Sequence, residues 1–250
     1  MQTIPHPRIR LTLIGIGTGN PQHLTLQGVQ AMQEADLLLI PLKGEDKADL
    51  AGLRRAILAQ HAPEARRVEF VLPHRDEGPD YLDAVERWHD AIAEAWAVQV
   101  ARSLPQGGHV ALLVWGDPSL YDSSLRIAGR LGWPVQVIPG VTAIQALCAA
   151  HAIPLNALAS AVQITTGRAL RAQGWPPGAG SVVVMLDGAC AFRTLAPEGF
   201  HIWWGAFLGM EEQIIDQGPL VEAGPRIEAA RAEARTAHGW IMDCYLLRRL

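Results

Sequence analysis

Arg10-Leu11-Thr12-Leu13-Ile14-Gly15-Ile16-Gly17-Thr18-Gly19-Asn20-Pro21 is the stretch on which the fold turns. Residues 10–16 form a short apolar run of the kind that makes a buried strand. The run dissolves into alternating glycines, which reach the positive φ values that a tight strand-to-helix turn requires. Residues 24–35 then place Leu26, Val29 and Met32 on one helical stripe. Asn20-Pro21 suits the start of that helix, since asparagine caps well and proline is tolerated at the first helical position. A strand, a glycine turn and a helix in this order are the opening of a parallel α/β layer.

Reading outward, the same alternation continues. A strand is expected at 36–40, stopped by Pro41, then a helix at 48–60 and a strand at 68–72. A long helix at 80–103 carries Val85, Trp88, Ile92 and Trp96 at helical spacing, and a strand follows at 109–115. Helices at 119–130 and 141–150 flank a strand at 135–138. Apolar runs at 162–165, 181–186 and 201–206, a helix at 222–238 and a closing strand at 240–247 complete the chain. The later strands are less evenly spaced. Two α/β domains are therefore expected: 1–118 with a mostly parallel sheet and 119–250 with a mixed one, the boundary lying near Asp117–Ser119.

Composition narrows the function. Of 250 residues, 49% are hydrophobic and 18% charged, with a net charge of −4, which excludes intrinsic disorder. No basic run tracks a nucleic-acid backbone, and no apolar stretch approaches the roughly 20 residues of a membrane span. Cys148, Cys190 and Cys244 are far apart and form no framework or zinc knuckle. Nine scattered histidines show no ligand spacing, so no metal is assigned. The first ten residues lack an apolar signal region, and a cytoplasmic protein is expected.

Three strand-end turns are candidate ligand sites, each with a purely structural alternative. The first glycine run is either a turn or a dinucleotide loop. Its spacing is G-x-G-x-G rather than G-x-G-x-x-G, with Asp36 near where a ribose acid would lie. Trp115-Gly116-Asp117-Pro118-Ser119-Leu120-Tyr121 is either a helix start or a place where a ligand meets the backbone. Pro139-Gly140-Val141-Thr142-Ala143 offers the same choice, with Thr142 as a plain N-cap. Lys43 and Lys47 are the only lysines in an arginine-biased chain, and Arg54 and Arg55 follow them closely.

Taken together, these segments resemble the tetrapyrrole methylase family. The resemblance runs from Leu13 to the final strand. It rests on the first glycine turn with Leu24-Thr25-Leu26, on Gly116-Asp117-Pro118 with Tyr121, on Pro139-Gly140-Val141-Thr142, and on Thr166-Gly167-Arg168. Met185-Leu186-Asp187-Gly188 with Cys190-Ala191-Phe192-Arg193, and Gly239-Trp240-Ile241-Met242-Asp243, are most similar to the branch that removes an acetyl group.

The family implies two α/β domains with the cofactor, S-adenosyl-L-methionine, in the cleft between them and S-adenosyl-L-homocysteine as product. By matching positions, the cofactor-binding residues are Thr18, Trp115, Gly116, Asp117, Leu120, Thr142, Ala143, Leu186 and Gly205. The implied substrate is an anionic tetrapyrrole, precorrin-5. Its carboxylates give Lys43, Lys47, Arg54, Arg168 and Arg193 a binding role. Glu45, Asp46 and Asp49, with His74, are the candidates for a catalytic base. A homodimer is implied by the family alone. Residues 40–43 read Ile-Pro-Leu-Lys where many members carry an aspartate, which argues against the uroporphyrinogen methylase reaction. The alternatives are another precorrin or uroporphyrinogen methylase of the same family, an NAD-dependent oxidoreductase using the first turn, and a corrinoid carrier.

Overall fold

The computed structural model of the chain describes residues 8–42, 48–75 and 81–250. They fall into two compact units. One runs through Gly17 and resumes over Pro21–Val141, and the other takes Thr18–Asn20 and Thr142–Leu250.

The first unit holds strands β1 (Ile9–Gly15), β2 (Leu37–Leu42), β3 (Arg67–Val71), β4 (Gly108–Val114) and β5 (Val135–Ile138), in the order β3-β2-β4-β1-β5. Every pairing is parallel. Helices α1 (Leu26–Gln33) and α2 (Ala48–His61) belong to the side of the sheet where Ile14, Leu38, Ile40 and Leu113 are buried with Met32 and Ile57. Helices α3 (Tyr81–Ser103) and α4 (Ser124–Ala128) belong to the other, where Leu13, Leu39 and Leu112 pack with Trp96 and Ile127. Right-handed crossovers explain this division: the chain moves one way along the sheet through α1 and α2, and back through α3 and α4. It leaves the carboxyl ends of the adjacent strands β1 and β4 toward opposite faces. That reversal opens the crevice in which doubly wound sheets bind ligands.

The domain boundary lies later than expected. Val135 to Ile138 pair with Leu11 to Ile14, so β5 belongs to the first sheet and the first unit continues to Val141. No sequence pattern announces a pairing between strands over 100 residues apart. The helix expected at 119–130 shrinks to α4. Asp122 Oδ1 accepts the Ser124 N–H at 2.6 Å and Tyr121 sits at φ 51°, so the chain turns before it coils. Likewise α1 is capped by Thr25, whose Oγ1 accepts from Gly28 N at 3.0 Å, while Pro21–His23 forms a separate 3-10 turn. β2 continues through Pro41, beyond its last pair with β4 at Leu39, where only β3 flanks it.

The second unit is the mixed sheet that was expected. Its strands are β6 (Val162–Thr166), β7 (Ser181–Met185), β8 (Phe200–Ala206), β9 (Ile214–Pro219) and β10 (Asp243–Arg249), in the order β6-β7-β10-β8-β9. β6 and β7 are parallel and the other pairs antiparallel. Helices α5 (Ala143–Ala150), α6 (Gly167–Gln173) and α7 (Leu220–His238) complete it. Edge strand β9 was not expected, since Gly218 and Pro219 mask its short Ile214-Ile215 signal. No helix among the described residues is long and apolar enough to cross a membrane.

One core histidine couples the first unit to pH. His89 on α3 is 3% exposed, and neither ring nitrogen has a hydrogen-bond partner. Burial, reinforced by the charge of Arg130, holds its pKa below the usual 6.5. The unfolded chain therefore binds the extra proton more readily, so stability is intact above that value and falls as pH drops through it. His89→Leu removes the unsatisfied nitrogens. It is expected to raise the melting temperature by about 2–4 °C, equivalent to about 1 kcal/mol, and to flatten its decline between roughly pH 7 and pH 5.5. Parallel wild-type and variant melting curves across that range check this.

Candidate functional site

The carboxyl ends of β1, β4 and β5 meet through glycine. A Cβ on Gly140 would stand 2.2 Å from the Gly116 carbonyl oxygen, and one on Gly15 would stand 2.5 Å from Gly140 N. Only bare backbone allows the three segments to touch. Gly17 and Gly116 then bridge, with Gly116 N donating to Gly17 O at 2.8 Å and Gly17 N to Gly116 O at 3.2 Å.

Gly116 differs from its neighbours. It sits at φ +64°, and the direction of its missing Cβ meets no atom within 4 Å. The backbone is thus bare on its open side, at the crevice between β1 and β4. Asp117 locks this arrangement. Its Oδ1 accepts from Ser119 N at 2.8 Å and its Oδ2 from Gly140 N at 2.9 Å. Burial alone would raise its pKa, but the hydrogen bonds from Ser119 and Gly140 outweigh it and hold the carboxyl below the ordinary range. Asp117 is therefore more than a cap: it ties the β4 turn to the β5 turn. Trp115 and Leu120 on either side are half-buried.

In the second unit, Thr142 caps α5 in a capping box with Gln145, whose Oε1 accepts from Thr142 N at 2.9 Å. Ala143 begins that helix, and Thr18 is buried. Gly205 on β8 is a packing glycine, since Leu208 Cδ2 lies 2.6 Å from where its Cβ would be and Leu147 Cδ1 lies 3.1 Å away. Any ligand contact there is through its backbone.

Leu186 is one of five non-glycine residues described in this unit at positive φ. It follows β7 at φ 53° with its side chain 66% exposed. A leucine held in the left-handed region is strained, and such strain persists only where the surroundings impose it. Asp187 imposes it. Its carboxylate accepts from Tyr245 Oη at 2.7 Å, Ala191 N at 2.5 Å, Arg171 Nη1 at 2.9 Å and Ala189 N at 3.1 Å. Behind it, buried Arg231 reaches the Asp187 carbonyl and pairs with Asp243 at 2.6 Å, and Asp243 also accepts from Trp204 Nε1 at 2.7 Å. The sequence singled out the 185–193 and 239–243 stretches and gave only Leu186 among them a cofactor role; the network that shapes its turn draws on α6, α7, β8 and β10.

The expected substrate residues fare unevenly. Lys43, Glu45, Asp46 and Lys47 lie outside the described residues, and Asp49 falls in α2 with its side chain outside the description. Arg193 is exposed and pairs with Glu228 at 3.5 Å, and Arg55 pairs with Glu69 at 2.7 Å, both surface arrangements of little energetic weight. Arg168 is exposed on α6, and His74 is exposed after β3. Arg54 stands apart. Its Nε donates to the Leu113 carbonyl at 3.0 Å, and burial lowers its pKa against the opposing charge of Asp122. It lines a cavity of about 310 Å³ at the carboxyl ends of β2, β3 and β4, together with Trp88, Trp96, Tyr121 and Asp122. The tryptophan spacing on α3 was the available signal, and it reads equally well as core.

Asp36 does not serve the glycine turn. Its Oδ2 accepts from His109 N at 2.7 Å, at the amino end of β4 and so at the opposite edge of the sheet. The dinucleotide reading loses its ribose acid. Among the described residues no group of three or more His, Cys, Asp or Glu side chains could hold a metal.

The sequence pattern of tetrapyrrole (corrin/porphyrin) methylases matches residues 10–224. The chain belongs to the tetrapyrrole methylase family. Among its relatives, a precorrin-6A synthase [deacetylating] of a Sinorhizobium species is 44% identical over 249 residues, covering 96% of this chain and 95% of its own. The crystal structure of a cobalamin synthesis related protein, CobF, from Corynebacterium diphtheriae superposes with a TM-score of 0.83 at 40% identity, over 97% of this methylase and 99% of that chain. A uroporphyrin-III C-methyltransferase of Thermus thermophilus, complexed with S-adenosylhomocysteine, shares the fold at a TM-score of 0.58 and 20% identity, over 96% and 97% of the two chains.

Proposed function

We propose that this tetrapyrrole methylase catalyses the precorrin-6A synthase reaction: precorrin-5 is methylated at ring carbon 1, acetate is released, and S-adenosylmethionine becomes S-adenosylhomocysteine. The observation that carries the reading is the 44% identity to a deacetylating precorrin-6A synthase across 96% of the chain. The open, side-chain-free backbone at Gly116 fits a ligand of the cofactor's kind. The cofactor residues we assign are the main chain of Trp115, Gly116 and Asp117, with Thr18, Leu120, Thr142, Ala143, Leu186 and Gly205.

When bound, S-adenosylmethionine supplies an electrophilic methyl group on a sulfonium. Asp117 keeps the β4 and β5 turns in one geometry, so the backbone at Gly116 needs no rearrangement to receive a ligand. Water attacks the acetyl carbonyl and the bond to the ring carbon breaks. The electron pair stays on the ring carbon, which takes the methyl group, and the acetyl fragment departs as acetate with loss of the water protons. The hydrolytic half needs a base, for which Glu45, Asp46, Asp49 and His74 are the candidates. Lys43, Lys47 and Arg168 neutralise the substrate's carboxylates, and Arg193 does so only by leaving Glu228, whereas Arg54, held by the Leu113 carbonyl and opposed by Asp122, meets another part of the substrate. The protein acts as a homodimer, which sedimentation equilibrium tests.

The deciding experiment incubates the protein with precorrin-5 and S-adenosylmethionine. Precorrin-6A, acetate and S-adenosylhomocysteine are expected in equal amounts; methylated product without acetate assigns another precorrin methylase reaction. The Lys43→Ala, Lys47→Ala double variant should lose at least about tenfold in kcat/KM, the equivalent of one charge-assisted contact, at unchanged affinity for S-adenosylhomocysteine. Wild-type kinetics would return both lysines to a solvated surface.

A further inference from the structure

The cavity of about 310 Å³ beside Arg54 has a chemistry of its own. It lies wholly within the first unit, at the strand edge where Gly116 also sits. Ligand sites span roughly 300–1,000 Å³, so this one is of a size for a substituent rather than a macrocycle. Ile92, Leu72 and Leu112 make much of its wall apolar.

Its polar lining includes Arg54, Trp96, Tyr121, Asp122, Ser123 and Ser124. Trp96 lines the cavity, is 2% exposed, and its indole N–H has no hydrogen-bond acceptor. A buried N–H without an acceptor costs about 1–3 kcal/mol, and nearly all such groups in native proteins are satisfied. An acceptor oxygen delivered by a ligand would satisfy it. Arg54 is oriented by its bond to the Leu113 carbonyl, and Asp122, oriented by Ser124 N, also lines the cavity and opposes its charge. A guanidinium and a carboxylate together make the wall close to neutral.

We infer that this cavity is an acyl pocket, which takes the neutral two-carbon acetyl group of the substrate, its carbonyl oxygen accepting from Trp96 and its methyl packing on Ile92 and Leu112. The inference rests on the deacetylating reaction proposed above and gives that reaction a place. The neutral wall favours an acyl carbonyl over a carboxylate arm of the macrocycle. It also favours release, because hydrolysis turns the neutral guest into an anion beside Asp122. The N–H of Trp96 meets an oxygen that gains negative charge as water adds to the carbonyl, so its contribution grows toward the transition state.

The test is Trp96→Phe, which deletes the donor and keeps most of the ring. The substrate is precorrin-5, with acetate and S-adenosylhomocysteine quantified separately. The expected result is a fall of at least about tenfold in kcat for acetate release, at the low end of what losing one such donor does, with KM and S-adenosylhomocysteine affinity within about twofold of wild type. Ser123→Leu, which fills the cavity from the loop before α4, should give the same loss and covers the case in which the tryptophan variant does not fold. Wild-type acetate release in both variants overturns the acyl pocket. A raised KM at unchanged kcat also overturns it, and assigns the cavity to a carboxylate arm. Failure of the wild-type protein to release any acetate is a separate result, and refutes the deacetylating reaction itself.

Discussion

Gly116→Ala is expected to fold and to lose the cofactor, whereas Gly140→Ala, twenty-four residues on in the same cluster, is expected to lose the fold. The contrast comes from where each new Cβ would go. At Gly116 it enters open space, and the penalty is the left-handed backbone at φ +64°, about 1–2 kcal/mol. That lowers the melting temperature by about 2–8 °C. The methyl group nevertheless stands on the bare stretch of main chain assigned to S-adenosylmethionine, and calorimetry should show S-adenosylhomocysteine affinity falling by at least about tenfold, the equivalent of 1.4 kcal/mol. At Gly140 the Cβ would lie 2.2 Å from the Gly116 carbonyl oxygen and 2.7 Å from Gly15 C, both backbone atoms with no rotamer to yield. β1, β4 and β5 would have to separate, at about 3 kcal/mol or more. Undiminished affinity in Gly116→Ala would remove the cofactor from this strand end.

Asp243→Ala should be the most damaging single change in the second unit. Arg231 is 8% exposed, and its guanidinium is held by Asp243 at 2.6 and 3.0 Å, by the Asp187 carbonyl and by Cys190 Sγ at 3.4 Å. Removing the carboxylate strands that charge and leaves Trp204 Nε1 without its acceptor. Breaking one side of a buried pair costs about 3–5 kcal/mol. That amounts to about 6–20 °C of melting temperature. The double variant Asp243→Leu, Arg231→Met removes both charges and should recover most of the loss, because two apolar side chains of similar volume leave no uncompensated ion. A double variant as unstable as Asp243→Ala would show that the pair shapes the 186–190 turn beyond neutralising itself.

Much of this methylase was legible in the chain. The alternation of short apolar runs with amphipathic stripes identified nearly every strand and helix of the first unit within a few residues, because burial on one face of a helix or between layers imposes a local period. Strand-end glycines were legible for a related reason: a position that must be bare or at positive φ excludes other residues. Gly116 and Gly140 were picked out this way, and Thr142 as a helix cap, and the structure gives each a definite structural task.

What local pattern cannot carry is which distant segments pair and which side chains meet. The membership of β5 in the first sheet, and with it the boundary at Val141, depends on hydrogen bonds between residues 11–14 and 135–138. Asp36 looked like a ribose acid by its distance from the glycine turn, but the parallel sheet carries it to the opposite edge, where it binds His109 N. Asp187 stood in a quoted stretch without a role of its own and Arg231 was unremarkable in sequence; the two become the centre of a buried network only when α7 and β10 close over the turn. Trp96 read as core and is core, yet its unanswered N–H is visible only once its neighbours are in place. The sequence by itself determined the alternating layers and the glycines at strand ends, since a residue's own size, polarity and backbone freedom settle those locally. Only the tertiary structure decided what each polar group faces, because that depends on residues brought within 3 Å from far along the chain.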